Sequence, residues 1–194
     1  MARPRVFDLD EALQSAMGLF WRDGYEGTSL ADLTAAMGIT PPSFYHAFGS
    51  KDGLFLKVLE AYGELHLAHV EAAAFEPTAR GVAEQMLSRM ADFYTDPSHP
   101  PGCLVVNCAL PCAGESTPPV RRRLSVLREA RRARLRSRFE RAVAEGDLSA
   151  HADPETLARF IMVVGWGMAV DAQSGATRDQ LRRTVAMALQ GFPG

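Results

Sequence analysis

The apolar residues of this chain recur at three- and four-residue intervals along nearly its whole length, interrupted only by capping residues, glycines and prolines. That spacing lines up one face of a helix. No stretch alternates apolar and polar residues at period two, as a half-buried strand must. The expected fold is therefore all-α. Leu9, Ala12, Leu13, Ala16, Met17 and Phe20 form the first face, behind Asp8 as N-cap and ahead of Gly24 as terminator. Ser29 and Asp32 make a capping box for a second segment carrying Leu30, Leu33, Ala36 and Met37, which Gly38 stops. Thr40 caps a third, short segment. Its first turn holds Pro41 and Pro42, where a missing N–H costs nothing. Phe44, Tyr45, Ala47 and Phe48 follow, and Gly49 closes it. Ser50 caps a fourth segment with Leu54, Phe55, Val58, Leu59, Tyr62 and Leu65 on one side. With no linker between segments three and four, a rigid junction is expected.

Five more helices are expected beyond it. They lie near 78–95, at about 103–112, from Pro118 to about Glu145, from the Asp153-Pro154-Glu155 start to Gly175, and from the Thr177/Gln180 capping box through Leu189. About nine helices result. They divide into an N-terminal three-helix domain over residues 1–50 and a larger helical domain over residues 51–194.

The formal net charge is −2, so contact with nucleic acid must come from one local face. No window approaches about 18 uninterrupted apolar residues, and the N-terminus has no apolar leader core, so a cytoplasmic protein without a membrane partner is expected. The three cysteines read as reduced thiols. Cys103, Cys108 and Cys112 within one short helix cannot converge on an ion, so neither metal nor cofactor is expected. No cysteine–histidine pair with a supporting acid and no phosphate loop is present, so the chain is not read as an enzyme.

Segments two and three have the form of a helix-turn-helix. Leu33, Met37, Ile39, Phe44 and Ala47 fall where two short helices must touch, with Gly38 at the turn between them. The alternative for this pattern alone is an ordinary helical hairpin in a core. Thr40, Pro42, Ser43 and His46 then face away from the apolar contacts, as groups suited to base edges and phosphates. Lys51 stands at the start of the next helix, where an ammonium and free N–H groups can meet a phosphate.

The run FWRDGYEGTSLADLTAAMGITPPSFYHAFGSKDGLF, from Phe20 to Phe55, resembles the TetR/AcrR family of transcriptional regulators. The matching parts are the Gly-Tyr before segment two, the Thr-Ser at its start, the Gly-Ile at the turn, the Phe-Tyr-His-x-Phe run and the Ser-Lys-Asp-Gly-Leu run. Thr34 departs from the alanine usual there, and Pro41-Pro42 departs from the usual start of the third helix. The resemblance implies that Thr40, Pro42, Ser43 and His46 face the DNA groove. Tyr45, Lys51 and Thr28 are implied as phosphate contacts, and Arg3 and Arg5 as an N-terminal arm. It also implies a homodimer through the last two helices that binds double-stranded operator DNA and a small-molecule effector.

In the second domain, the run from Pro101 to Leu110 and the run from Gly165 to Ala176 resemble stretches from one branch of the same family. Candidate effector-pocket residues are Tyr62, His66, Met86, Met90, Phe93, Cys103, Leu104, Asn107, Met162 and Trp166. The resemblance of the Gly-Cys-Leu run to thiol-sensing relatives implies modification of Cys103 as a second candidate trigger, its place at a helix start being one that can lower a thiol pKa, and a small buried apolar residue is the alternative reading. Gly165 and Gly167 in mid-helix call for a close helix neighbour. Ten arginines between Arg121 and Arg141 read first as a solvated face paired with acidic neighbours, and second as a site for an acidic effector. The expected function is a repressor released from its operator by a small molecule or by thiol modification. A constitutive DNA-binding protein and a thiol-dependent enzyme are the alternatives.

Overall fold

The computed structural model describes residues 8–109 and 118–193, so Arg3, Arg5 and Cys112 lie outside the described residues. Every regular element among the described residues is helical. Helix α1 (Leu9–Gly27) starts where the Asp8 carboxylate accepts the N–H groups of Asp10 and Glu11. It breaks at Gly24, whose φ of 74° and ψ of 170° end the first helical body and swing Tyr25 into the core. Helix α2 (Leu30–Met37) carries the reciprocal Ser29/Asp32 capping box. Gly38 follows at φ 64°, the left-handed geometry the tight turn to α3 (Pro41–Phe48) requires. Thr34, where alanine is usual, fits because its hydroxyl donates back to the Leu30 and Ala31 carbonyls while its methyl is buried.

The fourth segment is not the single helix its periodicity predicts. Helix α4 (Lys51–Tyr62) passes into a π-turn (Gly63–Leu67), then α5 (Ala68–Glu71) and a 3₁₀ turn (Ala72–Phe75). A π-turn adds a residue to the repeat and rotates the face that follows. Leu65, expected beside Tyr62, is 57% exposed, and Leu67 is buried in its place. Counting this unbroken run as one, the described residues hold nine helical bodies. The others are α6 (Ala79–Tyr94), α7 (Leu104–Ala109), α8 (Pro118–Ala144), α9 (Pro154–Gln173) and α10 (Arg178–Gln190).

Helices α1, α2, α3 and α4 form a small N-terminal bundle, and α6, α8, α9 and α10 form the larger one. A single buried apolar cluster runs through both, from Phe20, Phe44 and Phe55 to Leu87, Phe139 and Ile161. Helix α7 links the two by packing on α1. Gly165 meets the close neighbour its position calls for, since an added Cβ would lie 2.5 Å from the Met90 sulfur. Gly167 has nothing near it in this chain.

The junction between α3 and α4 is tighter than the sequence indicates. Ser50 caps α4 by accepting the Gly53 N–H at 3.0 Å, and the returning chain brings Phe48 against the same residue. A Cβ on Gly53 would lie 2.2 Å from the Phe48 carbonyl oxygen. Helix propensity alone makes Gly53→Ala a gain of about 1 kcal/mol. The overlap reverses the sign, and a loss of about 1–3 kcal/mol is expected in urea denaturation.

Two hydroxyls are sealed in the second domain. Burial first, then the neighbouring Cys103 sulfur, pushes Tyr62 and Tyr94 well above the ordinary tyrosine range. The unfolded chain gives up both protons above about pH 10 and the folded chain keeps them. Stability therefore falls as pH rises through that range. Each tyrosine contributes a slope of about 1.4 kcal/mol per pH unit. In unfolding curves collected across alkaline pH, Tyr94→Phe is expected to remove one such contribution and flatten the decline.

Candidate DNA interface and effector site

Helix α3 is held from behind and open in front. Phe44 and Phe48 are buried among α2 and α4, whereas Thr40, Pro42, Ser43 and His46 are all exposed, with Tyr45 53% exposed beside them. Thr40 caps the helix by accepting the Ser43 N–H at 3.4 Å, and its hydroxyl lies 3.0 Å from that of Ser43. This face is short, polar and rigidly backed, as insertion into a major groove requires.

Positive charge is scarce here. Residues 8–57 carry Arg22, Lys51 and Lys57 against seven aspartates and glutamates. Lys51 is half-buried, with Nζ 4.3 Å from the centre of the Tyr25 ring. The Tyr25 hydroxyl donates to Asp52. Burial lowers the Lys51 ammonium from its ordinary range, and Glu26 and Asp52 partly restore it. Thr28 does not join this face. Its side chain is 1% exposed, and its hydroxyl donates to the Gly24 carbonyl at 2.7 Å, because the break at Gly24 leaves that oxygen to be satisfied locally.

The ten effector-pocket candidates separate into three groups. Met86, Met90 and Met162 line an internal cavity of about 50 Å³, together with Leu67, Val70, Tyr94, Leu135 and the Glu71, Arg131 and Arg134 side chains. Tyr62, His66 and Phe93 instead pack around Trp21 of α1. Trp21 stacks on His99 at 4.4 Å and meets Tyr62 edge-on at 5.0 Å and His66 at 5.4 Å between ring centres. Phe93 closes the cluster 4.5 Å from His99. Cys103 borders it, 2% exposed, and accepts the Tyr62 hydroxyl hydrogen bond at 3.4 Å.

Leu104, Asn107 and Trp166 stand outside the cavity wall. Leu104 is buried on α7, and Trp166 packs half-buried at the edge of the core. Asn107 is spent on the seam with α1, where its Nδ2 donates to the Trp21 carbonyl at 2.9 Å. Its neighbour Cys108 donates to the Phe20 carbonyl at 3.3 Å. These carbonyls belong to the last turn before the Gly24 break, where helical acceptors commonly need outside donors. Sequence reasoning missed Trp21 and His99 as members of the cluster, and Glu71, Arg131 and Arg134 as members of the cavity. Trp21 lies just beyond the apolar face that ends at Phe20, and His99 sits in a turn with no periodicity to place it.

Comparison with known proteins agrees with this architecture. Residues 12–58 match the model of bacterial regulatory proteins of the tetR family, and residues 83–188 match the tetracyclin repressor-like C-terminal domain. The HTH-type transcriptional repressor ComR of Escherichia coli (strain K12) is 34% identical over 98% of this chain and 91% of its own length. The repressor BdcR of the same organism is 48% identical over 31% of this chain and 30% of its own. A cysteine-substituted variant of the TetR family transcriptional regulator CifR, complexed with a 26-base-pair double-strand operator, superposes with a TM-score of 0.90 at 42% identity, covering 98% of this chain and 100% of that one. The reduced form of Escherichia coli NemR, 18% identical with a TM-score of 0.78 over 95% of this chain and 96% of that one, shares the fold. By these matches across both halves, the chain belongs to the TetR family of DNA-binding transcriptional regulators.

Proposed function

We propose that the chain represses transcription as a homodimer, gripping operator DNA through the exposed face of α3 and releasing it when a small molecule enters the C-terminal domain. The observation that carries this reading is the open polar face of Thr40, Pro42, Ser43 and His46 on a helix anchored by Phe44 and Phe48. The repressor ComR and the operator-bound CifR variant support it as relatives of the whole chain. In this scheme Lys51 and Tyr45 meet phosphates, while Ser43 and His46 meet base edges.

The release signal has two physical routes. One runs along α4, whose first residue is Lys51 and whose continuation lines the cavity with Leu67, Val70 and Glu71. The other runs through α7, which bonds to the Phe20 and Trp21 carbonyls of α1. A coupling of about 1–3 kcal/mol between effector and operator gives a 5- to 150-fold change in affinity. The Trp21/His99 cluster and the adjoining seam support a sensing role, since Trp21 Nε1, His99 Nε2 and Asn107 Oδ1 are buried without a hydrogen-bond partner among the described residues. Release by thiol modification requires the segment around Cys103 to open first, because that sulfur is closed off under Tyr62. A reversible ligand is therefore the preferred trigger.

Dimerisation through α9 and α10 is supported by an apolar stripe left open on the single chain. Phe160, Val163 and Val170 of α9 are 40%, 55% and 39% exposed, and Met187 of α10 is 66% exposed. Gly167 falls within the α9 stripe with open space around it, which would let a second helix come close.

Operator binding is tested by gel shift with the DNA flanking the gene. Lys51→Ala is expected to weaken binding to all sequences alike and to reduce the salt dependence by about one ion. His46→Ala is expected to cost about 1–3 kcal/mol at one base position and relax the preference there. Wild-type behaviour from both variants would remove α3 as the reader. For the dimer, Val163→Lys is expected to give a monomer by light scattering, with operator binding lost. A variant that stays dimeric would place the interface elsewhere.

A further inference from the structure

Helix α8 carries ten arginines from Arg121 to Arg141, and several of them have clear ion-pair partners. Arg131 and Arg134 share Glu71, Arg132 and Arg136 share Glu155, and Arg141 pairs with Glu145. Arg138 differs. Its side chain is buried at 5% exposure, and no carboxylate pairs with it among the described residues. Nη2 donates to the Glu76 and Pro77 carbonyls at 2.9 Å, while Nε and Nη1 are covered and have no hydrogen-bond partner among the described residues. A buried guanidinium with two idle donors is costly unless something anionic satisfies it.

Arg138 lies in the wall of a groove of about 790 Å³ between α8 and the α5–3₁₀ segment. Arg134 and Arg141 share that wall, Arg141 being paired with Glu145, and Glu71 is its one carboxylate among the described residues, already engaged by Arg131 and Arg134. Apart from Ser137, the rest is apolar, mostly alanines, with Phe75 standing 86% exposed at the rim. An uncovered phenylalanine beside the unneutralised Arg138 guanidinium is the complement of a molecule with an oxyanion at one end and an apolar body at the other. The volume lies within the range of small-ligand sites, roughly 300–1,000 Å³. The inner cavity described above, at about 50 Å³, does not reach it.

We propose that this groove binds a small amphiphilic carboxylate, with its head on Arg138 and Arg134 and its apolar body over Phe75 and the neighbouring alanines. This inference rests on the effector-released reading above and names the effector's chemical class. The planar guanidinium fork matches a carboxylate. A carboxylate arriving at Arg134 competes with Glu71, the last residue of α5 and a wall of both the groove and the inner cavity. Loosening that pair frees the segment that continues directly from α4, and so bears on the helix that starts beside the DNA face.

The test uses the full chain, with decanoate as probe, 1-decanol and inorganic phosphate as controls, and operator release read in parallel. Calorimetry is expected to show decanoate binding and decanol at least about tenfold weaker, the scale of one charge-assisted hydrogen bond. Inorganic phosphate is expected not to bind. Arg138→Leu is expected to abolish decanoate binding. Because Arg138 also ties down the Glu76–Pro77 backbone, the exposed rim variant Arg134→Gln serves as the second probe, with an expected loss of about tenfold and an unchanged folded spectrum. Equal binding of decanol, equal binding of phosphate, or full decanoate affinity in Arg134→Gln each overturns the site. Decanoate binding that needs Arg134 but leaves operator affinity unchanged keeps the anion site and removes its regulatory link. No decanoate binding, in a chain that still shifts operator DNA, overturns this inference and leaves the regulator reading intact.

Discussion

The seam between α1 and α7 is what joins the helix-turn-helix bundle to the larger helical bundle. Helix α1 is shared: it packs on α2 and α4 in the N-terminal bundle and on α7 from the other domain. Phe20 and Trp21 sit at its centre, 0% and 1% exposed. Burying side chains of that size stabilises by about 1.5–3 kcal/mol each. The two bonds from Asn107 and Cys108 add about 0.5–1.5 kcal/mol apiece. Apolar burial against Phe55, Tyr62, Phe93 and His99 therefore holds α1 in place, and the directional bonds set its register on α7, because a slip of one residue would strand their acceptors. A change at α7 is felt at α1 without passing through a flexible joint.

Charge is distributed unevenly around that seam. The helix-turn-helix end has few cations, and the one at the start of α4, Lys51, lies over the Tyr25 ring. About half of the basic charge lies on α8, which packs against α4, α6, α7 and α9. Its surface pairs are each worth about 0–1 kcal/mol, too little to account for so many arginines through stability alone. Glu71 and Glu155 each bridge two arginines of α8 to another element, which fixes how α8 lies against α5 and α9. Arg138, buried and without such a partner, is the exception that gives the groove its chemical character.

Much of this was legible in the residues because the signals are local. A cap acts over three or four residues and a helix face repeats every 3.6. Asp8, Ser29, Thr40, Ser50, Asp153 and Thr177 each cap the helix their position announces. The same locality exposes Ser43 and His46 on α3, since a short helix with Phe44 and Phe48 inward has only one other face to offer. The family resemblance extended this reading across both halves of the chain.

The sequence by itself determined the helices, their caps, the tight turn at Gly38 and the polar face of α3. Only the tertiary structure decided which helices share partners and which side chains are left over. Asn107 meets Trp21 across 86 residues, and no periodicity points to that bond. The π-turn that exchanges Leu65 for Leu67, the overlap that forbids a side chain at Gly53, and the burial of Thr28 all arise where distant segments compete for the same space. Local rules count neighbours along the chain. Packing counts neighbours in space, and a pocket is made of what the second count leaves unfilled.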